Sequence, residues 1–185
     1  MTDSVPAMPN YDIDEVEQAF RAYWQTGAVN EDWDAWVELF TDDVTYVEHI
    51  LGDKLGREAV RAWIKPIMEE FGELYTAYEW HMCDPTGRVV VYMQNRRDNP
   101  EPGAAPIDFP GMTILQYAGN GQFSLEEDFW SLPEGQRTAT QYAEACAQHD
   151  PEHPRKQTRQ SWGNGPAWTR GAPTYAESVG AARMG

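Results

Sequence analysis

The sequence predicts an α+β domain in which helices lie on one face of a curved antiparallel sheet. Two observations carry this reading. Apolar residues recur at helical spacing through most of the first 71 positions, and from Leu74 onward runs of β-branched and aromatic residues alternate with turn signals. A chain of 185 residues with 41% apolar and 12% aromatic side chains fits one domain with a real core.

Ile13, Val16, Phe20, Tyr23 and Trp24 share one helical face, with Asp12 as N-cap and Gly27 as the stop. Trp33, Trp36, Val37 and Phe40 repeat the i, i+3, i+4, i+7 pattern and predict a second helix, closed by the polar turn Thr41-Asp42-Asp43. A strand over Val44–Ile50 and a loop over Gly52–Gly56 follow. Arg57–Phe71 is helical, with Val60, Ile64, Ile67 and Phe71 on one face and Pro66 expected to kink or divide it. Strands are predicted at Leu74–Cys83, Arg88–Arg97, Gly111–Ala118 and Gln122–Ser131, joined by turns at 84–87 and 119–121 and by the long connection Asp98–Pro106. Thr138–Gln148 closes the series as a helix with a small-residue face. Residues 1–10 read as a flexible N-terminus and 11–148 as the domain.

Thirty acidic against fourteen basic side chains give a net charge of −16. Such a chain repels phosphate backbones and anionic lipid, which argues against nucleic-acid and membrane partners. The charge is uneven: residues 1–150 carry −19 and the last 35 carry +3. Residues 149–185 therefore read as a basic tail rich in Gly, Pro and Trp, and Trp162, Trp168 and Tyr175 suggest that it packs on the body or on a neighbouring subunit. Two distant cysteines, Cys83 and Cys146, offer neither a disulfide framework nor a zinc knuckle. Without a signal-like or membrane-length apolar run, a cytoplasmic protein is the expectation. His149 and His153 have metal-ligand spacing, but Pro151 breaks the helix that would align them. No dinucleotide, phosphate-loop, nucleophile-elbow or zinc-protease motif is present, so the expected site uses no cofactor and no metal.

Strand alternation points to the site. If Trp130 faces inward, Asp128 and Glu126 do too, while Leu125, Glu127 and Phe129 face outward. A carboxylate enclosed by aromatic side chains loses hydration, its pKa rises, and it becomes an acid or base useful near neutrality. Tyr46 and Glu48 share a face of the early strand and can converge on the same cavity. The opposite phase would bury Leu125 and Phe129 and leave the carboxylates in water. His81, in the aromatic stretch Tyr78-Glu-Trp-His81, is a further candidate for the pocket. In the leading phase, Leu125 and Phe129 form an apolar outer face suited to a second copy, so a homodimer or higher oligomer is expected.

Three segments carry a family resemblance: Trp36-Val-Glu-Leu-Phe-Thr-Asp-Asp-Val-Thr-Tyr-Val-Glu48, Gly56-Arg-Glu-Ala-Val-Arg-Ala-Trp63 and Gly121-Gln-Phe-Ser-Leu-Glu-Glu-Asp-Phe-Trp-Ser131. They resemble the SnoaL-like, nuclear-transport-factor-2-like superfamily of cone-shaped α+β barrels, which includes ketosteroid isomerases, limonene-type epoxide hydrolases, scytalone dehydratase and polyketide cyclases. The resemblance implies helices packed on the concave face of the sheet. It places Glu48 where the isomerases carry their proton-shuttling carboxylate, Tyr23 near their oxyanion-holding tyrosine, and Thr113 where they hold a protonated aspartate. Against the epoxide hydrolases, Tyr46 resembles the water-positioning tyrosine and Asp128 one catalytic carboxylate. Their Arg-x-Asp pair is matched either by Met93 and Asn95 or by Arg96-Arg97-Asp98.

The expected function is cofactor-independent acid–base catalysis on a hydrophobic aromatic or polycyclic small molecule, as an isomerase, dehydratase or retro-aldol lyase. Glu48, Asp128, Tyr46 and Tyr23 are the candidate catalytic groups, and Trp130, Glu126, His81, Thr113 and Asn95 the candidate substrate contacts. Epoxide hydrolysis and non-catalytic ligand binding are the alternatives.

Overall fold

The computed structural model describes residues 9–156. Helix α1 (Ile13–Trp24) starts where Asp12 accepts a hydrogen bond from the Asp14 amide, and it buries Val16, Ala19, Phe20, Tyr23 and Trp24. Each of its large apolar side chains contributes about 1.5–3 kcal/mol on burial. Gly27 does not stop the helix. The chain continues into a π-helical turn, Gln25–Val29, in which Gly27 is buried against Trp36 of the short helix α2 (Trp33–Val37). A Cβ at position 27 would stand 2.4 Å from Trp36 Cδ1, so only glycine allows this approach.

Phe40 begins a strand rather than ending a helix. Strand β1 runs Phe40–Glu48, and the presumptive turn residues Thr41–Asp43 lie within it, at an irregularity in its pairing between Phe40 and Thr45. The irregular stretch lets Phe40 and Val44 both reach the core while Asp42 pairs with Arg57 at the surface. The loop that follows contains the two-residue strand β2 (Lys54–Leu55), antiparallel to β1. Helix α3 (Arg57–Glu70) contains Pro66 and is not divided by it. Strands β3 (Tyr75–Cys83), β4 (Arg88–Arg97), β5 (Ile107–Gly119) and β6 (Gln122–Trp130) form the antiparallel meander, and 98–106 is the long connection between β4 and β5.

The sheet order is β2-β1-β6-β5-β4-β3. The sheet departs from the purely antiparallel expectation at one place, because β1 and β6 pair in parallel, with Tyr46 beside Glu126 and Glu48 beside Asp128. The two edge strands do not meet, so the curled sheet stays open. The core joins Val16, Phe20 and Trp24 of α1, Trp36 and Val37 of α2, and Val60 and Ile64 of α3 to Val44, Val91, Leu115 and Phe123 of the sheet.

Helix α4 (Leu132–His149) begins six residues before its expected start, with Ser131 accepting from the Glu134 amide and Pro133 in the first turn. It packs Tyr142 and Cys146 against Ile107 of β5. A final turn, α5 (His153–Lys156), brings His153 Nδ1 to 3.0 Å from the Tyr142 hydroxyl. Most of the basic tail, including Trp162, Trp168 and Tyr175, lies outside the described residues. No described helix is long and apolar enough to cross a membrane.

The Gly27–Trp36 contact ties α1 to α2. Gly27→Ala should destabilise the protein by about 1–3 kcal/mol, the usual cost of overpacking, read as a lower urea midpoint. An unchanged midpoint would show that the contact is not tight.

Candidate active site

A cavity of about 450 Å³ opens between the inner face of the sheet and the helices, with the first turns of α4 at one end. Trp33, Trp36, Trp63, Ile67, Met68 and Met93 give it mostly apolar walls. Into this setting β6 projects Glu126, Asp128 and Trp130 from alternate positions, and β1 projects Tyr46 and Glu48 from the adjoining strand.

The two β6 carboxylates each receive a tyrosine. The Tyr23 hydroxyl, brought in by α1, donates to Glu126 Oε1 at 2.7 Å. The Tyr46 hydroxyl donates to Asp128 Oδ2 at 2.6 Å, and Thr113 Oγ1 of β5 donates to Asp128 Oδ1 at 2.5 Å. Glu126 Oε2 is buried and has no hydrogen-bond partner among the described residues. Burial pushes the Glu126 carboxyl well above its ordinary value, and the Asp128 charge beside it pushes the same way against the opposing bonds of the tyrosines. Asp128 is pushed up to about 6: burial is the largest cause and the Glu48 charge adds to it, whereas the Thr113 and Tyr46 bonds oppose it. Burial also raises both tyrosines well above 10, helped by the adjacent carboxylates, so their hydroxyls remain donors at neutral pH.

Glu48 is arranged differently. Its Oε1 accepts from Trp130 Nε1 at 2.5 Å, and its Oε2 accepts from the backbone amides of Ile50 and, more closely, Leu51. Three N–H donors on one carboxylate fix the Trp130 indole and the end of β1. Among the candidate catalytic groups, Glu48 holds the wall beside Asp128, and both line the cavity. Thr113 serves as a support for Asp128. Trp130 lines the cavity beside α4, and Asn95 lines it from β4.

His81 is not at the cavity, which corrects its expected substrate contact. It is 1% exposed, with Nε2 2.7 Å from Glu17 Oε2 and Nδ1 2.7 Å from the Tyr78 hydroxyl. A pairing irregularity between Tyr78 and Trp80 breaks the alternation of β3, so that Tyr78 and His81, three residues apart, come together on the core side. Glu17 is half-buried, which alone would raise its carboxyl, but the hydrogen bond and charge of His81 hold it down to about 2.

The epoxide-hydrolase pattern is not assembled around Asp128. Met93 and Asn95 occupy the inner face of β4 nearest that pattern. Arg96 binds Asp108 through Nε and Nη2, and Asp98 accepts from the Tyr75 hydroxyl. Arg97 lines the cavity, yet its strand neighbour is Ile107, far along the sheet from the Asp128–Thr113–Val91 row. The α3 wall residue Trp63, 5.1 Å from Tyr46 between ring centroids, was not singled out from sequence, although it sits one position from the predicted apolar face. No group of metal-ligating side chains occurs among the described residues.

Residues 14–124 match the SnoaL-like domain family. The chain belongs to that family. Solved structures with the same fold include a candidate polyketide cyclase from Xanthomonas campestris pv. campestris (TM-score 0.55, 16% identity, covering 68% of this chain and 97% of that one). A ketosteroid isomerase-like protein from Catenulispora acidiphila DSM 44928, solved with trimethylamine, is similar at TM-score 0.53 and 20% identity, covering 70% and 95%. The epoxide hydrolase/cyclase-like enzyme SalBIII, of pyran ring formation in polyether salinomycin, is similar at TM-score 0.53 and 18% identity, covering 66% and 95%. Among curated proteins there is no significant match. These likenesses establish the SnoaL-like, nuclear-transport-factor-2-like fold.

Glu126 holds its proton more tightly folded than unfolded, so the folded state carries the extra proton above pH 4.5 and stability falls as pH rises. As pH rises above 4.5, wild type should lose stability more steeply than Glu126→Gln, by up to about 1.4 kcal/mol per pH unit for as long as the folded carboxyl keeps its proton. Urea unfolding at several pH values measures this, and parallel slopes would contradict the assignment.

Proposed function

We propose that this SnoaL-like protein is an acid–base enzyme that uses its own carboxylates on a hydrophobic, aromatic or polycyclic small molecule. The observation that carries the reading is the pair Glu126 and Asp128, adjacent on one inward face of β6, each bonded to a tyrosine, with pKa values driven upward to different extents. Two titratable groups whose surroundings separate their pKa values are suited to acid and base roles in one turnover.

Asp128, ionised above pH 6, is the general base. It removes a proton from a carbon made acidic by a neighbouring carbonyl. Glu126, whose carboxyl burial and the Asp128 charge drive well above its ordinary value, is the general acid that gives its proton to the carbonyl oxygen as charge develops there. Tyr46 and Thr113 aim the base, and Tyr23 fixes the acid. Proton transfer of this kind serves an isomerase, a dehydratase, or a lyase or cyclase of the aldol type. The printed activities of the similar proteins, a candidate polyketide cyclase and an epoxide hydrolase/cyclase-like enzyme, are compatible with that class. Epoxide hydrolysis itself is less favoured, because no arginine hydrogen-bonds to Asp128 among the described residues.

With a substrate in hand, kcat/KM should rise with pH through a limb near 6, set by Asp128, and fall again where Glu126 ionises. Asp128→Asn should lower kcat by about 10²–10⁴-fold with KM changed far less. Full turnover in Asp128→Asn would overturn the reading.

A further inference from the structure

The inner face of β4 carries a second polar feature at the opposite end of the cavity. Arg97, the last residue of β4, is 5% exposed and lines the cavity. Its Nε donates to Glu73 Oε1 at 2.9 Å, its guanidinium stands 5.7 Å from the Tyr142 ring centroid, and its Nη1 is buried without a hydrogen-bond partner among the described residues. Leaving a charged donor unsatisfied in the interior is costly. The neighbouring Arg96 shows the ordinary arrangement, two bonds to Asp108 across the hairpin.

Asn95, two residues earlier on β4, lines the same cavity. Its amide nitrogen is 2.7 Å from where a Cβ at position 111 would stand, so Gly111 is what lets the Asn95 side chain lie over β5. Arg97 and Asn95 therefore line, from one strand face, a cavity that is otherwise largely apolar. With Nε given to Glu73, the outer guanidinium nitrogens are left to meet a second acceptor, and a carboxylate is the acceptor that makes such a bond charge-assisted.

Register sets the distance from the reacting end. Val91 stands in the row with Thr113 and Asp128, and Arg97 is six residues further along β4, about 20 Å at the usual rise per residue. We propose that Arg97 and Asn95 form a carboxylate-binding subsite, so that the substrate is an elongated aromatic or polycyclic acid whose carboxylate is held far from the carbon that reacts at Asp128. The inference rests on the acid–base reading for the position of the reacting carbon, but the subsite itself is defined by binding. Because the protein carries −16 overall, it gains no long-range attraction for an anion, and recognition depends on these short contacts.

The test compares anthraquinone-2-carboxylate with anthraquinone-2-carboxamide on the full chain, by isothermal titration calorimetry at pH 7.5. Wild type should bind the acid about ten- to a hundredfold more tightly than the amide, the usual range for a charge-assisted hydrogen bond. Arg97→Gln should bring that ratio near one with the amide affinity nearly unchanged, and Arg97→Lys should keep part of it. If Arg97→Gln does not fold, Asn95→Leu supplies the reading, with the ratio reduced severalfold. A ratio near one in wild type, a ratio that survives Arg97→Gln, or failure of the acid to bind at millimolar concentration would each overturn the subsite. The ratio needs no turnover. A flat ratio with an intact pH profile removes the subsite alone, and a selective ratio with an active Asp128→Asn removes the acid–base reading alone.

Discussion

Two carboxylates two positions apart on the inner face of one strand impose the constraint on which the site is built. In an apolar surrounding neither Glu126 nor Asp128 ionises readily, and the first charge to form opposes the second. The structure meets this cost with donors drawn from three elements. Tyr23 arrives on α1, Tyr46 on β1 and Thr113 on β5, and each bond requires its element at a fixed place. The parallel pairing of β1 with β6 sets Tyr46 and Glu48 level with Glu126 and Asp128. The sheet order and the seating of α1 are thus tied to the electrostatics of the cavity.

The same enclosure supports the proposed chemistry. Tryptophans, methionines and isoleucine around the cavity raise both carboxyls, Glu126 well above its ordinary value and Asp128 to about 6. The tyrosines spend their protons on the carboxylates, so an oxyanion would be met by protonated Glu126 rather than by Tyr23 or Tyr46 directly. Glu48, bonded by the Trp130 indole and two backbone amides, holds the wall beside them. One scaffold accommodates many reactions by changing such details, and family membership alone does not choose among them.

Much of this was legible in the sequence, for identifiable reasons. Alternation over Leu125–Trp130 separates inward from outward side chains because the described pairing of β6 is regular through those residues. The first helix was readable from Asp12 and five apolar positions in phase. Reading failed where regular periods are interrupted. Phe40 continues a helical spacing from Trp33 and Trp36, yet the chain turns into a strand whose irregular pairing hides behind two aspartates. His81 was assigned to the pocket because a bulge in β3, invisible to a simple alternation count, rotates it towards Glu17. The start of α4 was missed although Ser131 and Glu134 have capping-box spacing. Arg97 ends the strand expected from sequence at Arg88–Arg97, and only the curl of the sheet and the position of α4 enclose it.

The central claim is that of two adjacent carboxyls, Glu126 buried and Asp128 partly buried, the first keeps its proton at neutral pH while the second ionises near 6. Titration of the side-chain carboxyl ¹³C resonances, assigned with Glu126→Gln and Asp128→Asn, measures it directly. The account predicts that Glu126 remains protonated at pH 7 and that Asp128 titrates around 6. Both resonances titrating near 4, as for exposed carboxylates, would contradict it.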